Sequence, residues 1–436
     1  MPDAAGNSAR ELRPSAAPHA QAPLKVGVLV DLTLSPEAGG HVKCWERLAE
    51  AATRQAGLDL TVHFNGPAPR RIELSPTVRY QLLPPVLSTA RLVCRVPDHT
   101  DLSPWHPQLA RALTGYDVIH TTDAFFCYSK TATRVARRHR IPLVSSIHTN
   151  TPEYARLTAD HLLETLLGRG AAYRFAAGTL RMPDWAGGVL RRRLRRHLRN
   201  ASVAIGNYGD APLPANASPA RVMSLRRGLD PALFTPAKRD RRWLERRFGV
   251  PAGHALVLYA GKLNPGKNVG LLGRAIAILR ERDVPVHLIC AGAGEQKRAL
   301  EAALGPALTC PGPLSQEELA RAYASADIFA FPSTIDEYAN AVMEALASGL
   351  PVVLAEGSPV SMRLADCPAI TRLPGCAPEQ WAAEIARLIA SPAERGRLGR
   401  AARIYGETHF PTWEKVLVED LLPVWQEAAA SQRRAP

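Results

Sequence analysis

"ALVLYAGKLNPGKNVGLLGRAIAILRERDVPVHLICAGAG", residues Ala255 to Gly294, holds an apolar run, a Pro-Gly turn, a helix-period stretch and a second apolar run. Short aliphatic runs on either side of an amphipathic segment predict two parallel strands joined by a helix. The same alternation recurs along the chain. Strand-like runs stand at KVGVLV (25–30), DVIHTT (117–122), PLVSSIH (142–148), DIFAFPS (327–333) and PVVLAE (351–356), with helical stretches such as HVKCWERLAEAATRQA (41–56) between them. Apolar strands separated by helices call for parallel sheets covered on both faces, an α/β class built of doubly wound domains.

At 436 residues the chain is long enough for two such cores. GDAPLPANASPA (209–220) keeps neither helical nor strand periodicity and is the expected linker. The expected division is a disordered leader at 1–24, a first domain at 25–208, a second at 221–405 and a terminal helix at 406–430, which Pro423 should kink or split. Two doubly wound domains facing each other leave a cleft at the carboxyl ends of their strands, where such folds bind ligands.

Seven cysteines show no Cys-x-x-Cys pair or His/Cys ligand spacing, which excludes a disulfide framework and a zinc site at this level of reading. The leader lacks a continuous apolar region and no run approaches a bilayer span, so a cytoplasmic protein is expected. The net charge is +14, and Thr131 to Asn200 alone holds 14 Lys/Arg against 4 Asp/Glu. An anionic partner should meet that segment. Without interleaved aromatics or a DNA-binding motif, nucleic acid is the poorer candidate and an anionic membrane the better one. In VLRRRLRRHLRN (189–200), Leu190, Leu194 and Leu198 form one helical stripe amid Arg191, Arg192, Arg195, Arg196 and Arg199, a pattern suited to lying on such a surface.

Two constellations carry chemistry. In PSTIDEYANAVMEALASGLPVV (332–353), Asp336 sits in the loop after a strand and Glu344 one turn into the next helix, whose first residues Ala339, Asn340 and Ala341 offer backbone amides to an anion. In GKLNPGKN, Lys262 and Lys267 flank a Pro-Gly turn and can straddle a diphosphate. Acids beside an anion site suit a ligand with phosphates at one end and hydroxyls elsewhere, a nucleotide-diphosphate sugar. The AGAGEQK segment lacks the third glycine of a dinucleotide fingerprint and no P-loop is present.

Taken together, GKLNPGKN, STIDEYANAVMEALASGLPVV, Gly39-Gly40, IHTNTPEY, RRGLDPALF, AGAG and PGPLSQEELARAYASADIFAFPS resemble, in order, the retaining GT-B glycosyltransferases of family 4 over residues 25 to 407. The resemblance implies two Rossmann-like domains, with Lys262 and Lys267 on the diphosphate and Asp336 on hydroxyls of the transferred sugar. It also implies Glu344 on the ribose, His148 near the donor sugar and the Gly40 loop against the phosphates. It implies His148, Asp336 and Lys267 as the catalytic set, no cofactor beyond the donor, and a terminal helix that crosses back to the first domain. The absence of an Asp-x-Asp triplet agrees with a metal-independent reaction. Members with this Asp-x7-Glu text include enzymes of membrane lipids, so a lipid-linked or glycan acceptor is expected. The sequence departs from the usual text at Ala339 for Gly, Lys262 for Arg and Arg227 for Asn. The alternatives are a non-hydrolysing sugar-nucleotide epimerase and a degenerate copy that binds sugar nucleotide without transfer.

Overall fold

A computed structural model describes residues 22–35, 38–88, 101–148, 151–168, 170–206, 221–335 and 340–434. Its strands are β1 (Leu24–Thr33), β2 (Leu58–Asn65), β3 (Arg70–Ser75), β4 (Val78–Leu83), β5 (Val118–Thr121), β6 (Leu143–Ile147), β7 (Val203–Gly206), β8 (Arg221–Met223), β9 (Ala255–Ala260), β10 (Val286–Ala291), β11 (Leu308–Gly312), β12 (Ile328–Phe331), β13 (Val352–Ala355) and β14 (Ile370–Leu373). They form two sheets, one ordered β3-β4-β2-β1-β5-β6-β7-β8 and one ordered β11-β10-β9-β12-β13-β14. The described pairings are parallel except that of β3 with β4.

The second sheet reverses its strand order between β9 and β12, and the first does so between β1 and β5. Those reversals open crevices at the carboxyl ends of the strands. Inside the second domain β9, β10, β12 and β13 are buried on both faces, which explains why they read as unbroken apolar runs. Arg221–Met223 pairs with β7. The first sheet therefore continues past the 209–220 segment, which lies outside the described residues, and the passage into the second domain comes after Met223.

The chain crosses between domains twice, and the two crossings run side by side. Leu229 bridges to Thr412, and Gly228 lies so close to Trp413 that a Cβ there would fall 2.4 Å from the indole ring. Beyond the second crossing, Val416, Leu417, Leu421, Val424 and Trp425 join the core of the first domain. Each buried side chain of this kind contributes roughly 1.5–3 kcal/mol. Pro423 follows a π-helical turn, Leu417–Leu421, and the helix resumes over Leu422–Arg434.

Candidate functional site

The first domain contributes the Gly40–Ala52 helix, which starts where the loop after β1 ends. No side chain caps it; the N-cap is Gly39 in an extended conformation, so the amino-terminal amides remain turned outward. They face the second domain. A Cβ on Gly39 would stand 3.7 Å from the Cε of Lys262, and one on Gly40 would stand 3.7 Å from the Nδ2 of Asn340. Gly40, Lys262 and Asn340 are thus brought together across the domain boundary.

Lys262 leaves the end of β9 on a built turn. The Tyr259 hydroxyl donates to the Lys262 carbonyl at 2.9 Å, and the Asn264 side chain accepts from the Lys267 amide at 3.1 Å. Asn268, with φ of 53°, donates to the Gly375 carbonyl at 2.7 Å and closes the turn. The AGAG segment after β10 buttresses it. Gly292 has φ of 155°, and a Cβ there would sit 1.9 Å from the Gly261 carbonyl oxygen; one on Gly294 would sit 2.2 Å from that of Leu263. Only glycine fits at such approaches. Gly266, next to Lys267, lies against Ile335 of the loop that follows β12. Asp336 and Ala339, the next predicted site residues, lie outside the described residues.

Glu344 projects from the Asn340–Ala347 helix, which also carries Ala341. Burial raises its carboxyl from 4.5 to about 7, an effect that Tyr323 and then Arg47 of the first domain partly offset. Arg47 also donates to Gln316 of the second domain at 3.2 Å. No sequence motif points to Arg47 or Tyr323, which reach Glu344 from a distant part of the chain and from the preceding helix. The space left among Lys43, Arg47, Asn340, Met343 and Glu344 is about 30 Å³, room for about one water molecule. A larger hollow of about 510 Å³ flanks the Gly40–Ala52 helix, lined by Lys43, Arg47 and Arg54 with Glu46 and Glu50, and Lys43 and Arg47 are there paired with Glu46 and Glu50.

His148 closes the first-domain wall. Its ring stacks on His41, centroids 4.5 Å apart, and His41 directly follows Gly40. Arg227, which can only donate, gives a hydrogen bond to His148 Nδ1 at 3.1 Å, so the ring's proton must sit on Nε2, which donates to Ser146 Oγ at 2.8 Å. Trp425 Nε1 likewise donates to His120 Nδ1 at 3.0 Å and leaves His120 Nε2 to donate to the same Ser146 oxygen at 2.8 Å. Two obligate donors thereby fix both tautomers. Burial, followed by His41 and Arg227, holds His148 well below the usual histidine value, and burial takes His120 to about 3. Both rings are neutral, beside the charged Arg227.

The leucine stripe of the arginine-rich segment is not a membrane face. Leu194 and Leu198 are buried against Ala124, Phe125, Ile147 and Ala204, with Leu190 packed beside them. His197 fixes the docking through Ser145 at 3.0 Å and Thr121 at 3.1 Å. Packing on the sheet removes these leucines from any lipid, while Arg191, Arg192, Arg195, Arg196 and Arg199 stay exposed.

Residues 254–391 match the family described as Glycosyl transferases group 1. A D-inositol 3-phosphate glycosyltransferase from Streptomyces bingchenggensis is 28% identical over 89% of this chain and 85% of its own length. One of the same name from Salinispora tropica is 30% identical over 50% of this chain, and the match spans about half (48%) of that relative. Among solved structures, sucrose-phosphate synthase from Thermosynechococcus elongatus superposes with a TM-score of 0.67 at 19% identity, over 94% of this chain and all of that one. Anabaena HepE in complex with UDP-glucose gives 0.62 at 17% identity with the same coverage. The two facing sheets give the chain the fold of these solved structures, and residues 254–391 are similar to the group 1 glycosyl transferase domain.

Proposed function

We propose that the chain transfers a hexose from a nucleotide-diphosphate sugar to an acceptor hydroxyl, with retention of anomeric configuration and without a metal. The observation that carries this reading is the meeting of Gly39 and Gly40 at a helix amino terminus with Lys262 and Asn340 of the other domain. As the anomeric bond breaks, negative charge grows on the departing diphosphate. Lys262, Lys267 and the helix amides would stabilise it, and losing one such donor typically costs about 10²- to 10³-fold in rate. Asp336 would hold hydroxyls of the moving sugar, His148 would line the sugar side as a neutral ring, and Glu344 would take the ribose. The narrow space beside Glu344 calls for the domains to part when the donor enters. Water then reaches Glu344, its pKa falls toward 4.5, and the carboxylate becomes the acceptor that ribose hydroxyls need.

For the acceptor we propose a lipid-linked or glycan hydroxyl presented at an anionic membrane, with the exposed arginines of 191–199 toward the headgroups. The curated relatives are named for inositol 3-phosphate, so this compound belongs in any acceptor panel beside membrane lipid extract. Uridine- and guanosine-diphosphate sugars tested with both acceptors should give transfer that falls by about 10²-fold or more in Lys267→Ala. It should fall also in Glu344→Gln through donor affinity. Wild-type rates in both variants would remove the donor site from this cleft, and turnover of donor without any acceptor would favour an epimerase.

A further inference from the structure

The Thr151–Leu167 and Met182–Leu198 helices form a hairpin rooted beside His148. They pack closely: a Cβ on Gly187 would come within 3.0 Å of the Pro152 carbonyl oxygen, and the Tyr173 hydroxyl donates to Asp160 at 2.8 Å. The end of the hairpin nearer the sheet buries Leu194 and Leu198. The outward side does the opposite.

Seven of the seventeen exposed large apolar side chains among the described residues fall within 162–185, about one-twentieth of the chain, which is not the single scatter of an ordinary surface. Leu166 and Trp185 are each 70% exposed, and Phe175, Leu180 and Met182 stand between them in sequence. Exposed Arg174 and Arg181 lie in the same stretch, and the arginines of 191–199 follow on the same hairpin. Apolar side chains that include a tryptophan, set among cations, match the headgroup boundary of an anionic bilayer.

We propose that the outward side of this hairpin, from Trp185 beside the root of the first helix out to Leu166 near its far end, lies along the headgroup–acyl boundary of an anionic membrane and brings the His148 side of the cleft to a membrane-carried acceptor. The proposal rests on the acceptor reading above and gives it an apolar anchor distinct from the buried Leu190, Leu194 and Leu198 stripe. Arginines on the hairpin rest on the headgroups, while Leu166, Phe175 and Trp185 enter below them.

The test uses the full chain with phosphatidylcholine vesicles, with and without phosphatidylglycerol, whose acyl chains carry bromine as a tryptophan quencher. Anionic vesicles should sediment the wild type and quench part of its emission, and Trp185→Phe should lose that quenched part while still sedimenting. Leu166→Ser with Trp185→Ser should weaken partitioning by roughly tenfold or more, since two exposed apolar anchors are lost. Equal binding to neutral and anionic vesicles, unquenched Trp185 on bound protein, or unchanged partitioning of the double variant would overturn the proposal. A lipid-free, concentration-dependent dimer abolished by the double variant would also overturn it in favour of a protein interface. Calorimetry with donor sugars separates the two readings. Insertion without donor binding sinks the transfer, whereas transfer to a soluble acceptor without vesicle binding sinks the membrane contact.

Discussion

The carboxyl ends of the two sheets solve the same problem with different materials. In the second domain the site rests on backbone: glycines at 292 and 294 let one turn press against another, and the lysines ride on that turn. In the first domain it rests on buried polar side chains, with Arg227, His148, Ser146, His120 and Trp425 joined in one run of hydrogen bonds. The difference teaches that one half is rigid through close approach and largely indifferent to protons, while the other depends on keeping its histidines uncharged.

The largest effect should come from the backbone half. Gly292→Ala forces a Cβ into the Gly261 carbonyl at a φ of 155° that other residues avoid, a named mechanism for losses above about 4 kcal/mol. Purified protein should show a disrupted second domain by amide exchange. A stable variant with wild-type protection in β9 and β10 would break the contrast.

Acid should act on the other half. Burial holds His41, His63 and His120 to about 3, His197 to about 4 and His148 well down, so the unfolded chain binds more protons than the folded one below about 6.5. That stability is complete above pH 6.5 and is lost as pH falls toward these folded values. Asp31, raised to about 7 by burial and then Asp123, works in the opposite sense, since its contribution declines as pH rises from 3.8 to about 7. In the second domain His287, lowered to about 4, is opposed by Glu344, raised to about 7, so little net slope remains. Exchange measured from pH 7.5 downward should expose β5 and β6 before β9 and β12. Parallel loss in both domains would erase the distinction.

A smaller effect is expected from Trp425→Phe, which keeps an aromatic ring in place but leaves a small void and the buried His120 Nδ1 without its donor. The cost should be about 1–3 kcal/mol in urea unfolding. A further loss of transfer rate in that variant would sharpen the contrast by showing that Ser146 passes the change on to His148.

What could be read from sequence follows the same division. β9, β10, β12 and β13 are apolar throughout and end in turns, so their pattern is local. β11 and β14 lie at the sheet edges and carry Pro311 and Arg372 within them, which breaks that pattern. β2 is absent from the runs named above although Leu58, Leu60, Val62 and Phe64 alternate with Asp59, Thr61, His63 and Asn65 as a half-buried strand does; what the alternation does not show is that Thr61, His63 and Asn65 are buried as well. Their acceptance depends on partners such as Tyr116, 2.9 Å from His63, and Asp31, 2.7 Å from Asn65. At the site, the lysine turn and the Asn340 helix were visible because their residues are neighbours in the chain. The tie from Arg227 to His148 spans 79 positions and that from Trp425 to His120 spans 305, and no periodicity encodes either. The leucine stripe at 190–198 shows in its spacing that the helix is amphipathic but not whether protein or lipid covers it, and here the sheet does.

The doubled crossing has a consequence for synthesis. The first domain is made first, yet Val416, Leu421 and Trp425, which complete its interior, leave the ribosome last. At about 5–20 residues per second it waits on the order of ten to forty seconds after β7 emerges. During that interval an apolar flank of the nascent chain stands open while the second domain, whose interior is nearly all local to 229–410, can already close.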